Sequence, residues 1–287
     1  MKKIFLFLFL ISAVNTAYAE NLRVISLYPG HSDNIFAMSG EKILIALSEN
    51  DDEDLLPDLP RLSLRDNAEK FLALKPDIIV TRSFAKRLNP NLYEIIERSG
   101  VRIINLDPPS WNDFENYLKI LGEALDLDYH EALKKLHGIK ADLSPDASLL
   151  TPPHCFVEAT SKEIHTCAPD SWAANLIALA GGINTAVEAR PLRSGSSIAA
   201  WGAERVLKSH EEKNLDVYII QTGAMNHATV KDFYKRDWSA ALKDVKVYEI
   251  PEKYLSRPSL FGMEKGLEIL RKIFAQVELA KTNRESD

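Results

Sequence analysis

The chain has 287 residues, 46% of them apolar and 26% charged, with a formal net charge of −6. That composition is ordinary for a folded, water-soluble protein. The acidic balance excludes a nucleic-acid binder, whose affinity rests on clustered Lys and Arg, but it leaves room for a small anionic ligand held in a local basic pocket.

The first residues are expected to be a targeting signal. Lys2-Lys3, the apolar run 4–14 and Ala17-Tyr18-Ala19 follow the basic, apolar, small order of a secretory signal peptide. The run is too short to span a bilayer, which takes about 20 residues. No cysteine stands near the cleavage point, so the expected product has no lipid anchor and is free in the periplasm. Removing residues 1–19 leaves 268 residues, takes away two lysines and moves the net charge from −6 to −8. That length suits two domains of roughly 100–200 residues each.

Short β-rich runs then alternate with amphipathic helices. Residues 23–28 read as a strand, Pro29-Gly30 as a turn, and Ser32 as the cap of a helix to about Met38 stopped by Gly40. A second strand covers 43–47, and the acids from Glu49 to Asp54 read as a solvated loop lacking a full calcium-ligand pattern. Next come a helix at 66–74, a strand at 76–81, a helix at 89–99 stopped by Gly100, and a strand at 101–106. Ser110 with Asp113 resembles a capping box for a helix to about Leu125. A more polar helix at 128–144 follows. Strands at 155–159 and 163–166, a helix at 171–180, strands at 215–221 and 246–250, and a long helix at 259–280 complete the pattern, with a polar, frayed end at 281–287. Such alternation implies βαβ units and mostly parallel sheets.

The chain has two cysteines, Cys155 and Cys167. Pairing the strands at 155–159 and 163–166 about Ser161 would set them opposite each other, within disulfide reach. An oxidising compartment favours that bridge. Two free, half-buried thiols are the alternative; a two-cysteine metal site lacks a CxxC pair.

One echo joins the two halves. Ala68-Glu69-Lys70 opens a helix leading into the strand 77–80, and Ala203-Glu204-Arg205 opens another leading into 216–220. Together with the segments 23–33 (RVISLYPGHSD), 68–80 (AEKFLALKPDIIV), 101–106 (VRIINL) and 170–184 (DSWAANLIALAGGIN), this order resembles the helical-backbone, class III periplasmic substrate-binding proteins of ABC importers, the receptors for cobalamin, ferric siderophores and haem. The resemblance implies an α/β fold of two lobes, each a central, mostly parallel sheet flanked by helices. The N-terminal lobe would be 20–127, the C-terminal lobe 145–287, and 128–144 the connecting helix, with the ligand in the cleft between lobes. It also implies a monomer without cofactor that works with an inner-membrane permease and its ATPase, and that Glu69 and Glu204 dock on permease arginines. Two carboxylates fixed on a rigid body would set orientation and steer encounter.

Loop positions nominate the ligand residues. Tyr28, His31, Ser63, Arg65, Arg82, Lys86 and Arg87 belong to the first lobe. Asp170, Ser171, Trp172, Arg190, Arg193, Trp201, Met225, Asn226, His227 and Arg257 belong to the second. Arginines bind carboxylates in a planar, bidentate way, and Tyr28, Trp172 and Trp201 offer flat apolar surface. The aggregate points to an anionic metal chelate, with a ferric siderophore favoured. Cobalamin binders of the family place aromatic residues where this chain has Ser63 and Arg82, which weakens that reading. Haem would need an axial ligand such as Tyr28, His31 or His227.

Two other classes are weighed. A zinc or manganese receptor wants three or four converging His, Asp or Glu ligands, whereas the seven histidines are scattered and His130 and His137 share one helix. A secreted hydrolase would carry a nucleophile elbow or a His-Glu-x-x-His run, and neither occurs.

Overall fold

The computed structural model describes residues 22–141, 151–213 and 215–285. The expected signal segment and residues 142–144 of the expected connecting helix lie outside them. The chain divides into two compact units. One holds the residues to Pro109 and from Asp113 to Lys135; the other holds Ser110–Asn112 and everything from Leu136 on.

The first unit is built from β1 (Val24–Ser26), α1 (Pro29–Ala37), β2 (Leu44–Ser48), β3 (Arg61–Leu62), α2 (Ala68–Leu72), β4 (Ile78–Thr81), α3 (Ser83–Leu88), α4 (Pro90–Arg98), β5 (Arg102–Asn105) and α5 (Phe114–Leu125). Its five strands run in the order β3-β2-β1-β4-β5, all pairings parallel. Every residue of β1 and β4 is buried, as expected of strands covered on both faces. Ile25, Ile79 and Leu62 meet Phe71, Leu92, Tyr93 and Ile96 from α2 and α4 in one apolar core. Asn89 accepts a hydrogen bond from the Leu92 amide and so caps α4. Helix α6 (His130–Ala141) carries the boundary between the units, at Lys135 and Leu136.

The second unit contains β6 (His154–Thr160), β7 (His165–Cys167), α7 (Trp172–Leu179), β8 (Ile183–Asn184), β9 (Arg190–Pro191), β10 (Ile198–Ala200), α8 (Ala203–Lys213), β11 (Val217–Thr222), α9 (Val230–Phe233), β12 (Lys246–Pro251), α10 (Glu252–Leu255) and α11 (Leu260–Glu285). The strand order is β12-β11-β6-β7-β10-β9, with β8 also on β6. β12, β11, β6 and β8 pair in parallel; β7, β10 and β9 add antiparallel pairings. The sheet of this unit is therefore mixed, with a parallel half at β6, β11 and β12.

Several expectations are corrected. Helix α1 starts at Pro29, not after Ser32: proline at the first helical position has a preset φ and no amide to satisfy. Ser32 is buried and donates to Ser26 Oγ at 2.8 Å. Helix α5 starts at Phe114, and neither Ser110 nor Asp113 forms the expected capping box. Helix α3 lies where a loop was expected. The last helix reaches Glu285 rather than fraying at Lys281, whose ammonium is 2.7 Å from Asp216 Oδ2. Loop 49–54 is not merely solvated: Asp51 is buried and accepts from the Ser48 amide, and Arg61 donates to the carbonyls of Asp52 and Leu55.

The expected Cys155–Cys167 disulfide is absent, and both thiols are free and buried. The turn between β6 and β7 is longer than a turn about Ser161, with Ile164 in left-handed backbone at φ 48°. Glu158 then faces Thr166, and Cys167 pairs across to Ile198 instead. Burial pushes the Cys167 thiol up to about 12 and Cys155 higher still, which keeps both protonated and unreactive at neutral pH.

Candidate functional site

In an open parallel sheet, ligands bind outside the carboxyl ends of the strands where the strand order reverses. In the first unit that point lies between β1 and β4. Tyr28 follows β1 and Arg82 follows β4, and the Arg82 guanidinium carbon lies 4.6 Å from the Tyr28 ring centroid. Both side chains are partly exposed. Gly30 makes this possible, since a Cβ there would stand 2.5 Å from Tyr28 Cε1.

The stack rests on a buried polar layer. His31 meets the Tyr28 ring edge-on at 5.0 Å, and its Nδ1 is 2.7 Å from the Tyr117 hydroxyl. Its Nε2 has no partner in bonding geometry, although the carbonyls of Thr81 and Leu106 are near. Burial, with Arg82 adding to it, pulls the imidazole down to about 3, so it is neutral. The expectation that His31 faces a ligand is corrected: it is fully enclosed within α1 and braces Tyr28 from behind. Thr81 and Tyr93 hydroxyls pair at 2.9 Å under the end of β4. Asp107 accepts from the Ser83 amide at the start of α3.

The remaining first-unit candidates are spread along the same edge. Ser63 donates to Glu49 at 2.7 Å, and Arg65 is exposed beside it after β3. Lys86 pairs with Glu97, and Arg87 is exposed on α3. Glu69 is exposed in the first turn of α2, where a carboxylate suits the helix dipole. A groove of about 640 Å³ lies at the opposite, amino-terminal edge, between Asp77, Gly100, Arg102 and Asp126. Strand polarity sets it apart from the ligand edge.

In the second unit the structure brings together residues that sequence reasoning did not. Glu158 on β6 is fully buried and accepts from Tyr218, Asn226 and both terminal nitrogens of Arg236. Asn226 belongs to the loop after β11, with Met225 and His227 exposed on either side of it. Trp172 is 6% exposed and meets Trp111 edge-on at 5.0 Å, so Trp111 presents more surface than Trp172 does. Trp201 is half-buried against Phe156, with Arg205 above it at 5.3 Å. Arg190 and Arg193 are exposed. The Arg257 side chain is 9% exposed and lies 3.9 Å from Glu252. Glu204 is exposed at the start of α8. Among the described residues no three His, Cys, Asp or Glu side chains are grouped to hold a metal ion, and no helix is long and apolar enough to cross a membrane.

No protein-family model and no curated protein matches the chain. Solved structures do. A possible iron-binding periplasmic solute-binding protein from Staphylococcus epidermidis is 20% identical, with a TM-score of 0.68 over 88% of this chain and 98% of that one. The periplasmic haem-binding protein RhuT from Roseiflexus is 18% identical, with a TM-score of 0.64 over 90% and 99%. The periplasmic vitamin B12 binding protein BtuF of Vibrio cholerae is 19% identical, with a TM-score of 0.59 over 90% and 98%. This chain has the fold of those solute-binding proteins.

Proposed function

We propose that this chain is the capture component of an ATP-driven importer, a binding protein rather than an enzyme. It takes up a negatively charged metal chelate in the periplasm, a ferric siderophore with carboxylate or catecholate groups foremost, and hands it as a monomer to a permease and its ATPase. The observation that carries this reading is the Arg82–Tyr28 stack at the switch point of the first sheet. The guanidinium supplies a planar, bidentate partner for an oxyanion, and the phenol ring supplies a flat apolar face. Arg65, in the same unit, is exposed and available to add positive charge, while Glu69 and Glu204 serve as docking carboxylates. The names of the structural neighbours, which refer to iron, haem, vitamin B12 and nickel, support a metal or metal-containing ligand.

Haem is the second reading, and the same stack favours it. The stack holds the Tyr28 phenol at a partly exposed edge, and tyrosine is a known axial ligand of haem iron. The test is quenching of the four tryptophans by ferric citrate, a ferric tris-catecholate, haemin and cyanocobalamin, with absorption spectra of each mixture. Saturable quenching by a ferric chelate supports the first reading. A tyrosinate-type haem spectrum that Tyr28→Phe removes supports the second. Cyanocobalamin binding keeps the receptor role and overturns the anionic ligand. Binding of none of the four overturns the chelate receptor.

A further inference from the structure

Glu158 stands in an apolar setting. Phe156, Tyr218 and Phe233 around it are fully buried, and the Arg236 guanidinium lies 5.7 Å from the Phe233 ring centroid and 5.4 Å from that of Trp238. A buried ion pair is weak as a source of stability, because desolvation offsets most of the attraction, and well-packed apolar residues do as well. What such a pair does supply is fixed direction. Oε2 of Glu158 accepts from Tyr218 and from Arg236 Nη1, each at 2.5 Å. Oε1 accepts from Arg236 Nη2 at 3.0 Å and from Asn226 Nδ2 at 3.2 Å. One carboxylate thus ties together β6, β11, the segment after α9 and the loop after β11.

Asn226 is the link to that loop. Its Nδ2 also reaches the Glu158 carbonyl at 3.3 Å, and its Oδ1 accepts from the Ala228 amide at 3.1 Å. Gly223 and Asn226 exchange backbone hydrogen bonds at 2.9 and 3.1 Å, closing the turn. Asn226 is therefore 2% exposed while Met225, its neighbour, is 55% exposed, and His227 is exposed as well. The loop is pinned at its centre and open at its flanks. It leaves the carboxyl end of β11, beside β6 in the parallel half of the sheet, where an open α/β sheet places its ligand loops.

The geometry points to a positioning role: the Glu158–Arg236 pair, acting through Asn226, holds loop 223–228 in a ligand-ready form that presents Met225 and His227. This rests on the receptor reading above. A loop that is ready only part of the time binds with an affinity reduced by that fraction, and ordering it on binding costs free energy.

Asn226→Ala tests the role, because it cuts the link and leaves the Glu158–Arg236–Tyr218 cluster whole. The expected result is amide exchange at 223–228 faster by about tenfold, a Kd for a ferric tris-catecholate weakened about tenfold, and a melting temperature within about 4 °C of the parent, the shift for roughly 1 kcal/mol in a domain of this size. Unchanged exchange overturns the link. Faster exchange with unchanged affinity overturns the loop as a ligand element. A parent protein that binds none of ferric citrate, the tris-catecholate, haemin and cyanocobalamin overturns the receptor reading and the ligand half of this one; the exchange comparison still decides separately whether Asn226 pins the loop.

Discussion

The guanidinium of Arg82 and the ring of Tyr28 lie 4.6 Å apart at the reversal of strand order in the first sheet, although 54 residues separate them in the chain. β1 and β4 are neighbours in parallel register, Ser26 opposite Val80, so the residues just beyond their ends arrive together. The sheet itself therefore sets their spacing, and this gives the arginine a specific job to lose.

Arg82→Ala is expected to weaken binding of an anionic chelate by about 1–3 kcal/mol, the range for leaving a charged hydrogen-bond partner unmet. Because Arg82 is partly exposed, the melting temperature should hold. Arg82→Lys should recover only part, since an ammonium lacks the planar fork. Titration by tryptophan quenching measures all three proteins, and unchanged affinity in the alanine variant would place Arg82 outside the site.

Gly30→Ala separates the stack from the fold. The added methyl would press on the Tyr28 ring at 2.5 Å, and that ring can swing away. Alanine near the start of α1 adds helix stability of about 0.5–1 kcal/mol over glycine. The expected pair of results is a melting temperature equal to the parent or higher and a lower affinity for the ligand. A tighter complex would mean that Tyr28 obstructs the site.

Much of this was legible in the sequence, and the exceptions have physical causes. β1 and β4 were readable because Val24-Ile25 and Ile78-Ile79-Val80 are β-branched runs with proline turns close by. The start of α1 was missed because Pro-Gly reads as a turn, whereas here proline opens the helix. The thiol pairing was missed because nothing in Thr160-Ser161-Lys162 reveals that Ile164 takes left-handed backbone and shifts the register. The Glu158–Arg236 pair was invisible for a different reason. A lone acid in a strand reads as a solvent-facing position, and its partner is 78 residues away.

His31 should make the protein acid-sensitive. Its imidazole sits at about 3 in the folded chain, against 6.5 when unfolded. Between those values the unfolded state binds the extra proton, so stability is complete above about 6.5 and is lost as pH falls toward 3. The groups facing it are Tyr117, Tyr28, Arg82 and Asp107, none of which supplies a proton acceptor strong enough to offset its burial. From pH 7 to pH 5 the loss attributable to His31 is about 2 kcal/mol, at 1.36 kcal/mol per unit. Urea midpoints at the two pH values should differ less in His31→Gln than in the parent; equal differences would remove His31 as the cause.

Glu69 and Glu204 lie one in each unit, each exposed in the first turn of its helix. Reversing both to lysine should leave chelate affinity within experimental scatter and abolish uptake, since like charges would then face the permease arginines. Single reversals should give intermediate uptake. Normal transport by the double variant would end the docking role and leave the two carboxylates as helix-terminal stabilisers.

Glu158 and Arg236 offer the sharpest contrast between removing one member of a buried pair and removing both. Arg236→Met leaves a carboxylate with 0% exposure and no cation, a change worth about 3–5 kcal/mol of stability. Glu158→Leu with Arg236→Met removes the charge as well, and its stability should return most of the way to the parent, measured by urea unfolding. The double variant also removes the carboxylate tie to Asn226. Loop 223–228 should therefore exchange faster in it than in the parent despite the recovered stability, though less fast than in Asn226→Ala, because the Glu158 carbonyl still accepts from Asn226. If stability and loop protection return together, the pair is ordinary core and the positioning role falls.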